Sequence, residues 1–154
     1  MNQRTYHDPL HRGIRLDGDV PAEAMVMTLV DTPPFQRLRR VRQLGPAFLT
    51  FHGAESSRFT HSIGVFHLAR RAFTQLLNQN DELEVDRGLL YAAALLHDIG
   101  HGPLSHTGEE MFGLHHEDWS AVSWTVTGWT SCGGTATAPD RVTDSWISIA
   151  SWRP

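Results

Sequence analysis

The stretch RGLLYAAALLHD, residues 87–98, is apolar on nearly every side. A helix of that kind cannot lie on a surface with one face in water, so other elements have to enclose it. The preceding stretch supplies one wall. Phe59, Ile63, Phe66, Ala69, Phe73 and Leu76 recur at three- and four-residue steps, the signature of one helical face running from Arg58 to about Leu77. Between the two, NQNDELEVD predicts a polar connection. Further upstream, PAEAMVMTLVDTPPFQRLRRVRQLG predicts two helices broken at Pro33 and Pro34, with Asp31 and Thr32 placed to cap the second and Gly45 and Pro46 ending it. At the N-terminus the turn-forming pieces HDPL and LDGDV surround Ile14 and Leu16, which predicts a short strand or hairpin. The expected fold is all-α, a helical bundle over residues 1–120 with that hairpin attached.

The 154 residues, 40% of them hydrophobic, suffice for one core and one ordinary domain. A formal net charge of -4, with no lysine and no basic block besides Arg37, Arg39, Arg40 and Arg42, offers no field for nucleic acid or an anionic membrane. The single cysteine, Cys132, excludes an internal disulfide framework and suits a reducing cytoplasm. The start MNQRTYHDPLHRG lacks the apolar core of a signal peptide, and nowhere do roughly 18 apolar residues run together as a membrane helix requires. A cytoplasmic, membrane-free chain is expected. After Ser120 the character changes: the last 34 residues hold no Leu, Phe, Glu, Gln or His, and all five tryptophans lie at or beyond Trp119. Residues 121–154 read as an irregular tail left by a change of reading frame. The alternative is a set of strands, since Val122, Trp124 and Val126 alternate with Ser and Thr.

The chemistry concentrates in LLHDIGHGPLSH, residues 95–106. A neutral imidazole and a carboxylate both ligate divalent transition metals, so His97 and Asp98 at the end of an apolar helix raise a metal-site hypothesis. A second such pair, His7 and Asp8, precedes Pro9, which pushes Asp8 out of helical geometry; a turn is the reading there. Ligation needs donors from more than one segment. His61, in SSRFTHSIGV near the start of the preceding helix, lies where antiparallel packing brings it beside His97 and Asp98. The competing reading is a lone surface or core histidine.

The motifs DTPPFQRLRRVRQLG, SSRFTHSIGVFHLA and LLHDIGHGPLSH, in this order and spacing, resemble the HD-domain phosphohydrolases. The likeness is strongest to deoxynucleoside triphosphate triphosphohydrolases of the SAM-and-HD-domain type and extends from about Tyr6 to Ser120. It implies an all-helical HD domain with a divalent transition metal, one of Mn, Fe, Co, Ni or Zn, held by His61, His97 and Asp98. A fourth ligand, an aspartate of a later helix, does not carry over; Asp140 and Asp144 are carboxylates without the matching context.

The same resemblance implies roles around the metal. His101 and His106 on the turn GHGPLSH line a phosphate pocket, and His116, in an "HE" context, assists catalysis. Glu109 stands where the family has an aspartate that orients this histidine, and it is one methylene longer. For His115 and His116 a hydrated helix end is the other reading. Gln43 and Leu44 would touch the deoxyribose and base edge, and Arg58 a triphosphate oxygen. Asp31, Gln36 and Arg39 resemble an activating nucleotide site at a subunit interface, which implies a homo-oligomer; a solvated charged helix face is the plain alternative. The expected function is metal-dependent hydrolysis of a phosphoester or phosphoanhydride in a nucleotide substrate, first of all a deoxynucleoside triphosphate. A non-catalytic nucleotide-binding module, or an inactive fragment short of its fourth ligand, are the alternatives.

Overall fold

The computed structural model describes residues 3–79 and 87–113 and, beyond them, residues 115, 116, 118 and 120. Both readings of the tail at 121–154, and most of the polar connection after Gln79, lie outside the described residues. The described chain is helical apart from one hairpin. Strands β1 (Gln3–Asp8) and β2 (Arg12–Asp17) pair antiparallel, with Tyr6 opposite Ile14 and Arg4 opposite Leu16. Ile14 and Leu16 alternate onto the inner face and are fully buried, so the hairpin is a lid on the helical core.

Helix α1 (Pro21–Val30) opens on a proline, whose fixed φ suits the first helical position. It buries Val26, Met27, Leu29 and Val30. Helix α2 is shorter than the sequence suggests. It spans only Pro33–Arg37, passes through a 3-10 turn at Leu38–Arg40, and Val41 is already extended. Arg42 then bridges Ser57 in antiparallel fashion, and Arg58 N–H donates to the Val41 carbonyl at 2.8 Å. This long-range pairing outcompetes a helical continuation for the same backbone groups. Gly45 and Pro46 accordingly start another 3-10 turn, Gly45–Leu49, and end no helix. Neither expected side-chain cap forms: Thr32 is the N-cap residue of α2, but its hydroxyl donates to the Leu29 carbonyl at 2.7 Å, and Asp31 pairs with Arg4.

Helix α3 (Arg58–Gln79) packs on α4 (Arg87–Leu96), and α4 packs in turn on α1. Phe59, Ile63, Phe66 and Phe73 carry the inner face of α3 as their spacing predicts, whereas Leu76 points outward and Leu77 packs against the core in its place. Tyr91 of α4 meets Phe66 edge-on, with ring centroids 5.2 Å apart. Helix α4 is enclosed on the side of Tyr91, Ala92, Leu95 and Leu96 but leaves Leu89 exposed. A turn follows it, and helix α5 (His106–Phe112) closes the described part, ending on Gly113 in the left-handed region.

Phe66 is fully buried between α3 and α4, and removing its ring leaves a void that this close packing cannot refill. Phe66→Ala is expected to lower unfolding free energy by about 3–5 kcal/mol in urea titrations. A loss below about 1 kcal/mol would show that these helices do not share one packed core.

Candidate metal centre

The centre forms where the first turn of α3 meets the turn that follows α4, as antiparallel packing requires. His61 Nε2 lies 3.4 Å from His97 Nε2 and 3.6 Å from Asp98 Oδ2, and His97 Nε2 lies 3.4 Å from Asp98 Oδ1. A tetrahedral shell with bonds of about 2.0–2.2 Å sets neighbouring donors about 3.3–3.6 Å apart, so the three side chains fit one divalent ion. His97 Nδ1 is 2.9 Å from the Ala94 carbonyl. Donation there places the hydrogen on Nδ1 and leaves the Nε2 lone pair facing His61 and Asp98, the arrangement that orients metal-binding imidazoles. His7 has no such surroundings. It is exposed on β1, and Asp8 is occupied as a turn carboxylate, accepting from Leu10 N–H and His11 N–H at 2.8 and 2.7 Å.

Asp98 is buried, yet it is held charged. Burial opposes its ionisation, but Arg58 Nη1 donates to Oδ2 at 2.6 Å, and with the nearby His97 this leaves its pKa below the usual carboxylate range. Arg58 is itself buried, with both outer nitrogens engaged: Nη2 donates to Ser105 Oγ and, at 3.3 Å, to the Gln43 carbonyl, while Nε has no partner among the described residues. Burial also lowers His61, against the pull of Asp98, so it offers a neutral ring.

A second group adjoins the first. Glu109 takes His116 Nδ1 at 2.7 Å and His106 Nδ1 at 3.2 Å, and lies 3.0 Å from His101 Nδ1. Hydrogen bonds and charge from these imidazoles outweigh the burial of Glu109 and lower its pKa. Four donor atoms here also lie within 4.8 Å of one another. However, the rings of His101 and His116 stack nearly parallel, 3.7 Å apart at 15°, so their in-plane lone pairs cannot converge on one ion. The group is better described as imidazoles oriented by a carboxylate. His106 belongs to the start of α5 and not to the turn before it. His101 is fully buried, with neither ring nitrogen in a hydrogen bond, and burial together with Arg58 and His116 lowers its pKa to about 3. His115 is exposed.

Gln43 and Leu44 lie on the loop facing this turn, Leu44 partly exposed and the Gln43 side-chain oxygen buried without a partner. Asp31, Gln36 and Arg39 lie near one another but are committed internally. Asp31 pairs with Arg4 at 2.6 Å, Gln36 donates to the Val30 carbonyl, and Arg39 donates to Gln36 Oε1 at 2.7 Å while stacking 3.7 Å over Phe59. Arg42 stacks over Phe48 in the same way, so these two arginines are not a plain solvated helix face.

Arg37 is the residue that sequence reasoning left without a role. Its guanidinium donates to the Ile99 and His101 carbonyls at 2.7 and 2.8 Å, which clamps the turn immediately after Asp98. Burial with no carboxylate beside it lowers its pKa. Nothing in RLRRVR distinguishes this half-buried arginine from its solvated neighbours, because the carbonyls it binds are 62 and 64 residues away.

With fold and geometry in hand, the class is clear: residues 58–123 match the HD domain family model. The chain thus carries an HD domain. It is 44% identical over 119 residues to the uncharacterized protein YwfO of Bacillus subtilis, covering 77% of this chain and 26% of that one. It is 39% identical over 112 residues to the bovine deoxynucleoside triphosphate triphosphohydrolase SAMHD1, covering 71% of this chain and 18% of that one. A phosphohydrolase crystal structure from Bacteroides thetaiotaomicron superposes with a TM-score of 0.73 at 32% identity, covering 86% of this chain and 32% of that one. The chain thus spans about a quarter or less of the length of these two relatives. Among the described residues, no helix is long and apolar enough to cross a membrane.

Two outcomes follow from the geometry. His97→Ala and Asp98→Ala should each abolish retention of Mn through gel filtration, whereas His7→Ala should retain it; equal loss in all three would place the metal elsewhere. The second concerns pH. The folded-state pKa of His101 lies near 3, below the ordinary 6.5, so the unfolded chain binds more protons between those values. Its contribution is full above about pH 6.5 and is lost as pH falls toward 3. Denaturation midpoints in EDTA should therefore fall from pH 7.5 to pH 5, and His101→Gln should flatten that slope; an unchanged slope would contradict the burial argument.

Proposed function

We propose that the protein hydrolyses a phosphoester or phosphoanhydride bond of a nucleotide, with a deoxynucleoside triphosphate as substrate. The observation that carries this reading is the convergence of His61, His97 and Asp98 from α3 and the turn after α4 at 3.4–3.6 Å beside imidazoles held by Glu109. A divalent transition ion there supplies a Lewis acid for a phosphoryl oxygen and lowers the pKa of a water toward about 7.

The chain's own groups do the remainder. His106 and His116 each turn Nδ1 to Glu109, so each ring presents Nε2 outward; as the imidazolium, with a hydrogen on both nitrogens, either ring can pass the Nε2 proton to a leaving phosphate oxygen. His101, buried and neutral, stacks on His116 behind them. Glu109 reaches both rings, so in this reading the extra methylene still allows the orienting contact. Gln43 and Leu44 would meet the sugar and base edge from the facing loop. Arg58 fits a brace behind Asp98 better than a direct phosphate ligand, because oxygens of Asp98, Gln43 and Ser105 already occupy its outer nitrogens. The domain boundary near residue 120, a cytoplasmic setting, and a homo-oligomer with a regulatory nucleotide at Asp31, Gln36 and Arg39 belong to the same reading. The activity for which the bovine relative is named supports the choice of substrate.

Mn-loaded protein incubated with each of the four deoxynucleoside triphosphates should release intact triphosphate, detected by phosphorus NMR. His97→Ala should abolish the release. Failure to turn over any nucleotide would sink the reading.

A further inference from the structure

The backbone places one non-glycine residue in an unusual conformation beside the proposed centre. Ser105 has φ 55° and ψ -140°, a region that L side chains rarely adopt and that a glycine would occupy without strain. It is buried, and it immediately precedes His106 at the start of α5. As N-cap of α5 its hydroxyl would normally accept from the helix's first amides, yet it makes no capping bond. The hydroxyl is spent elsewhere. It accepts from Arg58 Nη2 and donates to the Gln43 carbonyl at 3.2 Å. That same Arg58 holds Asp98 through its other nitrogen.

The facing loop is fitted to this arrangement. Gly45 also has a positive φ, 51°, and a side-chain carbon there would come within 2.5 Å of the Leu104 carbonyl oxygen. The loop at Gln43–Gly45 and the turn at Leu104–Ser105 are therefore in backbone contact, and Ser105 Oγ is the polar link across it. A strained residue persists only where its surroundings over-determine it, and such residues gather at functional sites.

We propose that Ser105 is a positioning residue: it locks the Gln43–Gly45 loop, Arg58 and thereby Asp98 into one rigid unit, and its backbone aims His106 toward the metal cleft. The proposal rests on the metal-centre reading of His61, His97 and Asp98, and it assigns to a small side chain the joining of two parts, the metal ligand and the loop proposed to read sugar and base. Loss of the hydroxyl leaves Arg58 Nη2 with only its 3.3 Å bond to the Gln43 carbonyl and lets the loop and α5 move independently.

The test uses Ser105→Ala, which removes the hydroxyl, and Ser105→Gly, which removes it while relieving the backbone. The decisive readout is the histidine ring NMR spectrum of the full chain. In both variants the His106 resonance is expected to shift while that of exposed His7 stays in place. Mn affinity, read by EPR titration, is expected to fall about 10- to 100-fold, the usual scale for partners that orient a metal ligand. Ser105→Gly should melt no lower than Ser105→Ala. An unmoved His106 resonance would overturn the proposal, as would a general displacement of all histidine resonances with a lowered melting temperature. These readouts need no turnover. A parent protein that hydrolyses no nucleotide would defeat the proposed function and leave the His106 result to decide the role of Ser105.

Discussion

The buried ion pair between Arg58 and Asp98 is the interaction on which the candidate site depends. Two charges taken out of water cost several kcal/mol each unless they meet and their remaining hydrogen-bonding positions are satisfied. Here they meet at 2.6 Å, and two further oxygens accept from Arg58 Nη2, while its Nε is buried without a partner among the described residues. The consequence is chemical. Asp98 stays ionised inside an apolar helical bundle, which is the state a metal ligand needs. Helix α3 therefore carries both a histidine donor and the arginine that keeps the Asp98 carboxylate charged, three residues apart and within one turn.

The hydrophobic core and the polar centre are built from the same two helices by a division along their length. Phe66, Phe73 and Tyr91 close the interior of α3 and α4, while Arg58, His61, His97 and Asp98 gather at one end. Close packing along the apolar part sets the helix spacing, and that spacing sets the donor separations. The turn after Asp98 is anchored in that core by Ile99, and polar clamps hold it from outside: Arg37 from α2 binds the Ile99 and His101 carbonyls, and Ser120 Oγ accepts the Gly100 amide at 3.1 Å. The loop of Gln43 and the turn of Ser105 then complete the walls.

Periodicity determined that α3 exists, which of its residues face inward as far as Phe73, and that Ile14 and Leu16 make a buried strand, because burial imposes a 3.6- or 2-residue repeat that local sequence must carry; α4 was legible from its continuous apolar run. That His61, His97 and Asp98 come together was also legible, since antiparallel packing of two adjacent helices fixes which ends meet. What local sequence could not determine is anything set by partners distant in the chain. The second helix stops at Arg37 because Val41 and Arg42 pair with Arg58 and Ser57, and no residue before Gly45 signals that competition. Arg37 and Arg39 look alike in RLRRVR, yet one is half-buried against carbonyls from beyond residue 98 and the other lies on Phe59. Ser105 reads as an ordinary turn serine until its φ and its contact with Arg58 are seen. Tertiary structure decided these cases, because backbone hydrogen bonds, buried charge and strain are settled by whichever segment arrives from elsewhere in the fold.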